Sequence, residues 1–431
     1  MSNIDSYRNL FIGVDDKLKN SDGSLFIPIN FDNAATTPAF KYVHDNVEEY
    51  SHCYGSIGRG KGLKSCMCTD FYENSRKVVL NFFDIPDDKD YTVIYVKNTT
   101  EAINVLAQAL IDDKSEKIIS TRMEHHANDL PWRERANVLY IDVDENGRLN
   151  LSDIEKVLKN NKIKLVTITA ASNVTGYINP VNKIAKIAHK YGAMIVVDAA
   201  QLVAHKHLNI LGKNEGEDID FVAFSAHKMY APFGAGAIIA KRSLIKDKVP
   251  FIKGGGAVDM VLDNKVYWEK IPARYEAGTP NFLGVVALVS AIQELNKIGF
   301  SNLEKHEISL KKYLLDRLNL IPNIIEYGQP RDNDSIGVIS INVKGREHEE
   351  VAKLLSDIRG IAVRSGGFCS HPYVRRLIGY DEKESMKYIK DPSISRPGLV
   401  RISFGLYNNE SEVDIFLDTL EYIARNKNLR I

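Results

Sequence analysis

Three short and almost wholly apolar runs limit this chain more than any other feature. They are Lys164–Ala170 (KLVTITA), Met194–Val197 (MIVV) and Phe221–Phe224 (FVAF). Runs of this length without polar alternation suit strands buried on both faces, as in a parallel sheet covered by helices. The periodic segment Val181–Tyr191 lies between the first two, and Tyr91–Lys97 (YTVIYVK) precedes a segment with Ile103, Leu106, Ala107 and Leu110 at helical spacing. The alternation predicts an α/β, doubly wound domain with a mostly parallel sheet over residues 31–295. Beyond Leu295 the texture changes. Val338–Val343 and Val400–Phe404 alternate like half-exposed strands, and Glu349–Ile358 and Ser411–Arg425 have helical periodicity, the latter with Ser411 and Asp414 as a capping-box variant. A smaller α+β domain over 296–431 is expected, with residues 1–30 packing against it.

The 431 residues carry 56 Lys+Arg against 56 Asp+Glu, a formal charge of zero. That balance argues against nucleic acid or an anionic membrane as the main partner. The longest apolar run, Phe282 to Ile292, is too short for the roughly 20 residues of a spanning helix, and the first residues lack the basic-then-apolar pattern of a signal peptide. Four cysteines are too few for a disulfide scaffold. A soluble cytoplasmic protein is expected. Cys53, Cys66 and Cys68 read either as ordinary thiols or as a relay or metal site; no fourth ligand stands at recognisable spacing, and no metal is expected.

Lys228 stands just past the FVAF run, after Ser225-Ala226-His227, and precedes a Pro/Gly-rich turn, at the end of a buried strand where α/β folds bind ligands. Poor solvation there lowers an amine's pKa and suits Schiff-base chemistry, although a strand-end lysine can also simply reach solvent. Asp198 ends MIVVD and reads as a helix cap or as the partner of a pyridinium nitrogen. Thr99 and Thr100, between strand and helix, form a plain cap or a phosphate site. His125, in MEHHAN, reads as surface decoration or as a flat ring that stacks on a planar cofactor. Together these make up what pyridoxal 5′-phosphate requires. A dinucleotide is excluded because no G-x-G-x-x-G follows a strand.

The chain resembles the cysteine desulfurases of the class V aminotransferase family, fold-type I pyridoxal-phosphate transferases, and within them the sulfur-mobilisation group. The resemblance rests on FDNAATTP (31–38), NTTEAIN (98–104), MEHHAN (123–128), ASNVTG (171–176), VDAAQ (197–201), FSAHK (224–228), EAGTPN (276–281), IAVRSGGFC (361–369) and VRISFGLYN (400–408). It implies Lys228 as the Schiff-base lysine, His125 stacked on the ring, Asp198 on the ring nitrogen and Gln201 on the ring hydroxyl. Thr99, Thr100, Ser225 and His227 would hold the phosphate, with Thr279 reaching it from the partner of a homodimer. Asn173 and Arg401 would bind the substrate carboxylate, a natural task for a guanidinium. Cys369 would be the persulfide-forming nucleophile, with Arg364 as a cationic helper near substrate and thiol. By itself, Cys369 reads as a buried apolar thiol.

The implied reaction converts L-cysteine, or a related amino acid, to alanine, with transfer of sulfane sulfur to an acceptor protein. Other readings are a class V enzyme that does not need Cys369 (a cysteine or selenocysteine lyase, a transaminase or an epimerase) and a non-catalytic sulfur-carrier scaffold. Two departures from the family bear on the choice. Gly367-Phe368 stand where better-studied members carry two histidines, and Gly58 stands where a histidine is expected. Cys369 and Arg401 are also unusually far apart, 32 positions (401 − 369), and the intervening segment reads as a lid or docking surface or as a solvated excursion.

Overall fold

The computed structural model describes residues 7–19, 23–58, 60–329, 331, 334–391, 393–426 and 429. Seven strands form the central sheet: β1 (Tyr91–Val96), β2 (Lys117–Thr121), β3 (Asn137–Ile141), β4 (Ile163–Thr169), β5 (Met194–Asp198), β6 (Phe221–Ser225) and β7 (Gly236–Lys241), in the order β1-β7-β6-β5-β4-β2-β3. The three apolar runs are β4, β5 and β6, adjacent and parallel at the centre. Only β7 runs against its neighbours. Ile168, Val196, Val197, Val222 and Phe224 are fully buried, because helices cover both faces and leave no solvated side.

The fold class expected from the sequence is what is seen, a large, mostly parallel sheet with a smaller α+β body. In register, Thr169 sits beside Asp198 and Asp198 beside Ala223. The carboxyl ends of β4, β5 and β6 therefore open along one line.

The second body holds a four-stranded antiparallel sheet: β8 (Ile324–Tyr327), β9 (Val338–Val343), β10 (Arg364–Gly366) and β11 (Leu399–Ser403), ordered β8-β9-β11-β10. Its own core joins Leu314, Ile339, Ile341, Leu355, Val400, Ile402 and Phe416. Phe31 enters this core edge-on against Phe404 and Phe416. The segment before residue 31 touches both bodies: Phe11 packs on Phe40, Tyr230 and Tyr407, while Ile29 belongs to the second core.

Two local expectations are corrected. β9 and β11 alternate in polarity but are buried throughout, apart from a partly exposed Asn342. The polar residues of the alternation face the central sheet's ligand edge instead of water: Ser340 Oγ donates to the Val174 carbonyl, and Ser403 bonds both Phe31 and Ala34. The last helix starts one residue earlier than expected, at Glu410, because Asn409 caps it and Glu412 returns the bond, a better capping box than Ser411 with Asp414.

No single helix among the described residues is long and apolar enough to cross a membrane. The apolar helix Phe282–Ile298 is a core helix, buried at twelve positions.

Glu276 anchors the loop that leads into that helix. Its carboxylate accepts from Arg76 at 2.7 and 2.8 Å, from the Tyr95 amide at 2.7 Å and from the Tyr72 hydroxyl at 3.0 Å. Removing Glu276 leaves the buried Arg76 with only the exposed Glu73 as a counter-charge and the Tyr95 amide without its acceptor. Glu276→Ala is expected to lower the unfolding free energy by about 3–5 kcal/mol, read as a lower urea midpoint at unchanged m-value.

Candidate active site

A cavity of about 330 Å³ lies where the two bodies meet, within the roughly 300–1,000 Å³ usual for small-molecule sites. The turns after β1, β2, β4, β5 and β6 supply one wall. The second body supplies Arg364, Phe368, Cys369 and Arg401. Of the residues singled out from the sequence, only Thr279 lies elsewhere. It is exposed in a separate hollow with Tyr72, Lys97 and Glu276, and so takes no part in the cavity of its own chain.

After β1, Asn98 caps the helix Thr99–Leu110 by accepting from the Glu101 amide. Thr99 is buried, and its amide and hydroxyl meet Ser225 Oγ at 2.8 and 2.7 Å, which ties the helix start to the end of β6; Thr100 is exposed at the same helix start. Gly236 makes this junction possible, since a Cβ there would lie 2.9 Å from the Asn98 Cα. The helix start thus offers hydroxyls and N–H groups to an anion in the cavity.

His125 accepts the Ala127 amide on Nδ1 at 3.0 Å, which leaves the proton on Nε2. Burial, with Lys228 adding, brings its pKa down to about 3, and burial also brings His227 down to about 4. Both imidazoles are neutral at pH 7. Asp198 is buried, holds the Ala200 amide at 3.0 Å, and has its pKa raised by desolvation. Gln201 is buried beside it, its amide nitrogen donating to the Ala34 carbonyl. Desolvation lowers the Lys228 amine to about 8; the Asp198 and Cys369 charges oppose this and Arg401 adds to it. Far more of that amine than of an ordinary lysine is therefore uncharged and nucleophilic near neutral pH.

Arg401, on β11, is buried and brought down to about 10 by desolvation, so it remains a cation. It donates to the Asn173 carbonyl at 3.0 Å and to Asp32 at 2.9 Å, while its buried Nε has no partner among the described residues. Arg364, opposite it on β10, meets the same Asp32 carboxylate at 2.6 Å. Asp32 is a site residue that the sequence reading missed. It lies within the quoted FDNAATTP segment, but its two partners are more than 300 positions away and nothing local announces them.

Cys369 is an exposed thiol. The first half of the segment after it is not a solvated excursion. Helix His371–Ile378 buries Tyr373 and Val374 in a cluster with Met123, Val174, Phe368 and Leu399, and the Tyr373 hydroxyl donates to the Gly147 carbonyl at 2.6 Å. Helix Glu382–Lys390 buries nothing. The His371 ring stands edge-on to His126, with centroids 4.6 Å apart, and fills the space a side chain at Gly367 would need. Cys66 is exposed and Cys68 buried on one helix, so they face different ways, and among the described residues no group of three His, Cys, Asp or Glu could hold a metal.

A family profile described as aminotransferase class-V matches residues 29–416. The chain belongs to the class V aminotransferase family. Among its relatives, the "Cysteine desulfurase" of Haloferax volcanii is 32% identical over 402 residues, covering 91% of this chain and 88% of that one. The "Cysteine desulfurase" of Escherichia coli O127:H6 is 33% identical, covering 91% and 93%. Among solved structures, the cysteine desulfurase of Thermococcus onnurineus NA1 superposes with a TM-score of 0.82 at 33% identity, covering 92% of this chain and 95% of that one. The cysteine desulfurase CsdA of Escherichia coli gives 0.80 at 26% identity, covering 98% of both. This class V fold has the same large α/β body as those relatives.

Neutral burial of His125 has a pH consequence. Its folded pKa of about 3 lies below the unfolded value, so the unfolded chain binds more protons as pH falls from about 6.5. Stability is therefore lost on acidification through that window. Urea midpoints measured from pH 7.5 down to 4.5 are expected to fall less steeply for His125→Gln than for the wild type.

Proposed function

We propose that this protein is a pyridoxal 5′-phosphate-dependent cysteine desulfurase that converts L-cysteine to L-alanine and carries the sulfur as a persulfide on Cys369. The observation that carries the reading is one cavity with a desolvated amine, a buried carboxylate, a buried guanidinium and an exposed thiol, from Lys228, Asp198, Arg401 and Cys369. The relatives' names support the same activity.

The donor set fits the cofactor. Asp198, whose carboxyl is raised by desolvation, gains most from a cationic ring N–H, and Gln201 beside it suits a ring hydroxyl. Thr99, Thr100, Ser225 and His227 suit a phosphate, because two of the hydroxyls already converge at a helix start. When bound, pyridoxal phosphate supplies an electron sink for bond cleavage at the amino acid.

The chain's own groups do the rest. Lys228 would hold the cofactor through Nζ and would move the substrate α-proton, tasks that suit an amine brought to about 8. Neutral His125 would lie against the cofactor ring without competing for charge. Arg401, with its partnerless Nε, receives the substrate carboxylate, and Arg364 adds positive charge at the same mouth. The thiolate of Cys369 attacks the substrate sulfur, taking it as a persulfide while alanine leaves. An acceptor thiolate then removes that sulfur, as the exposure of Cys369 allows. Thr279 completes the phosphate site of a second copy in a homodimer, in keeping with its place on the surface away from its own cavity. The reading places the protein in the reducing cytoplasm, where Cys369 remains a thiol.

Purified holoenzyme given L-cysteine and a reductant is expected to yield sulfide and alanine in equal amounts, without pyruvate. Cys369→Ala should abolish sulfide release, and Lys228→Ala should lower turnover by about 10²–10⁴-fold. Pyruvate in place of alanine, or full turnover by Cys369→Ala, overturns the desulfurase reading in favour of a lyase.

A further inference from the structure

The turn that presents Cys369 is held in a conformation that side chains resist. Phe368 and Cys369 have φ of +50° and +53°, and Gly366 before them has +110°. Two consecutive non-glycine residues in the left-handed region persist only where their surroundings hold them. The Ser370 amide closes the turn on the Gly367 carbonyl at 2.8 Å, and one side chain braces it from outside. Asn173 Nδ2 donates to the Phe368 carbonyl at 2.7 Å, and Asn173 Oδ1 accepts from Ser370 Oγ at 2.9 Å. The orientation of the amide follows from its partners, since a carbonyl accepts only and so must face the amide nitrogen. One amide therefore grips the residues on both sides of the cysteine. The His126 amide adds a bond to the Cys369 carbonyl at 2.6 Å.

Asn173 is 5% exposed and Ser370 fully buried, so neither bond is exchanged with water. The same Asn173 offers its backbone carbonyl to Arg401, whose guanidinium also lies 5.0 Å from the centre of the Phe368 ring. The amide that the resemblance assigns to the substrate carboxylate is thus bonded to the cysteine turn through Oδ1 and one of its two Nδ2 protons. We infer that Ser370, acting through the Asn173 amide, is a positioning residue for the Cys369 thiol. The inference rests on the desulfurase reading for the role of Cys369.

The test compares wild-type holoenzyme with Ser370→Ala and Ser370→Thr. Three readings are taken: sulfide release from L-cysteine, the spectral dissociation constant for L-alanine, and the rate of iodoacetamide alkylation at Cys369. Alkylation is resolved by peptide mass spectrometry with the exposed Cys66 as internal reference. Ser370→Ala leaves Asn173 Oδ1 buried without a donor, and kcat is expected to fall about tenfold while KM and the alanine constant stay within about twofold. Alkylation at Cys369 should meanwhile rise about threefold as the turn loosens, a divergence that general unfolding does not produce. Ser370→Thr keeps the hydroxyl and should restore kcat. Unchanged kcat and alkylation in Ser370→Ala overturn the inference, as does a loss of alanine binding that matches the loss of kcat. If the wild type releases no sulfide with alanine, the desulfurase reading fails by itself, and the alkylation comparison still decides whether Ser370 holds the turn.

Discussion

β2, β4, β5 and β6 run side by side in one direction, and burial of their apolar residues forces their carboxyl ends into a line at one edge of the sheet. Backbone groups there have no further strand to bond and turn instead into a crevice. Apart from Ala34 and Ala35, the groups that the large body gives to the cavity come from such ends or from the end of β1 beside β7. The chemistry therefore depends on the hydrophobic effect acting some distance away. Substitutions deep in β5 or β6 would move Asp198 and Lys228 before touching either.

The second body meets this edge with the polar face of its own sheet. Ser340, Arg401 and Ser403 alternate with Ile339, Ile341, Val400 and Ile402 along β9 and β11, so one face closes a core and the other closes the cavity. Desolvation follows from that closure. It lowers Lys228 and Arg401, raises Asp198 and keeps His125 neutral, with no group on the opposite sheet acting as the main cause.

Much of this was readable in the chain. The buried strands were plain from unbroken apolar runs, and Lys228 and Asp198 stood out because each ends such a run. Thr99 and Thr100 were marked by their place between strand and helix, whereas Ser225, His227 and Arg401 came from motif resemblance, since nothing in their spacing reveals a shared cavity. What escaped was carried by long-range partners. Alternation in β9 and β11 looked like half-exposed strands because a polar face against another domain reads like a polar face against water. Asp32 gave no signal, because its meaning lies in Arg364 and Arg401. The same holds for Ser370, an ordinary serine until Asn173 is placed beside it.

One feature of the small sheet has a wider reach. Arg364 pairs across the strands with Arg401, Ser365 with Val400 and Gly366 with Leu399, and Gly398 lies so close that a Cβ there would fall 2.6 Å from the Gly366 Cα. Strand register, and not the contour of the chain between them, sets the span from the cysteine turn to Arg401. The polypeptide between Ile378 and Leu399 is thus a detour whose length is decoupled from the reaction. Its length can change while Cys369 and Arg401 keep their spacing.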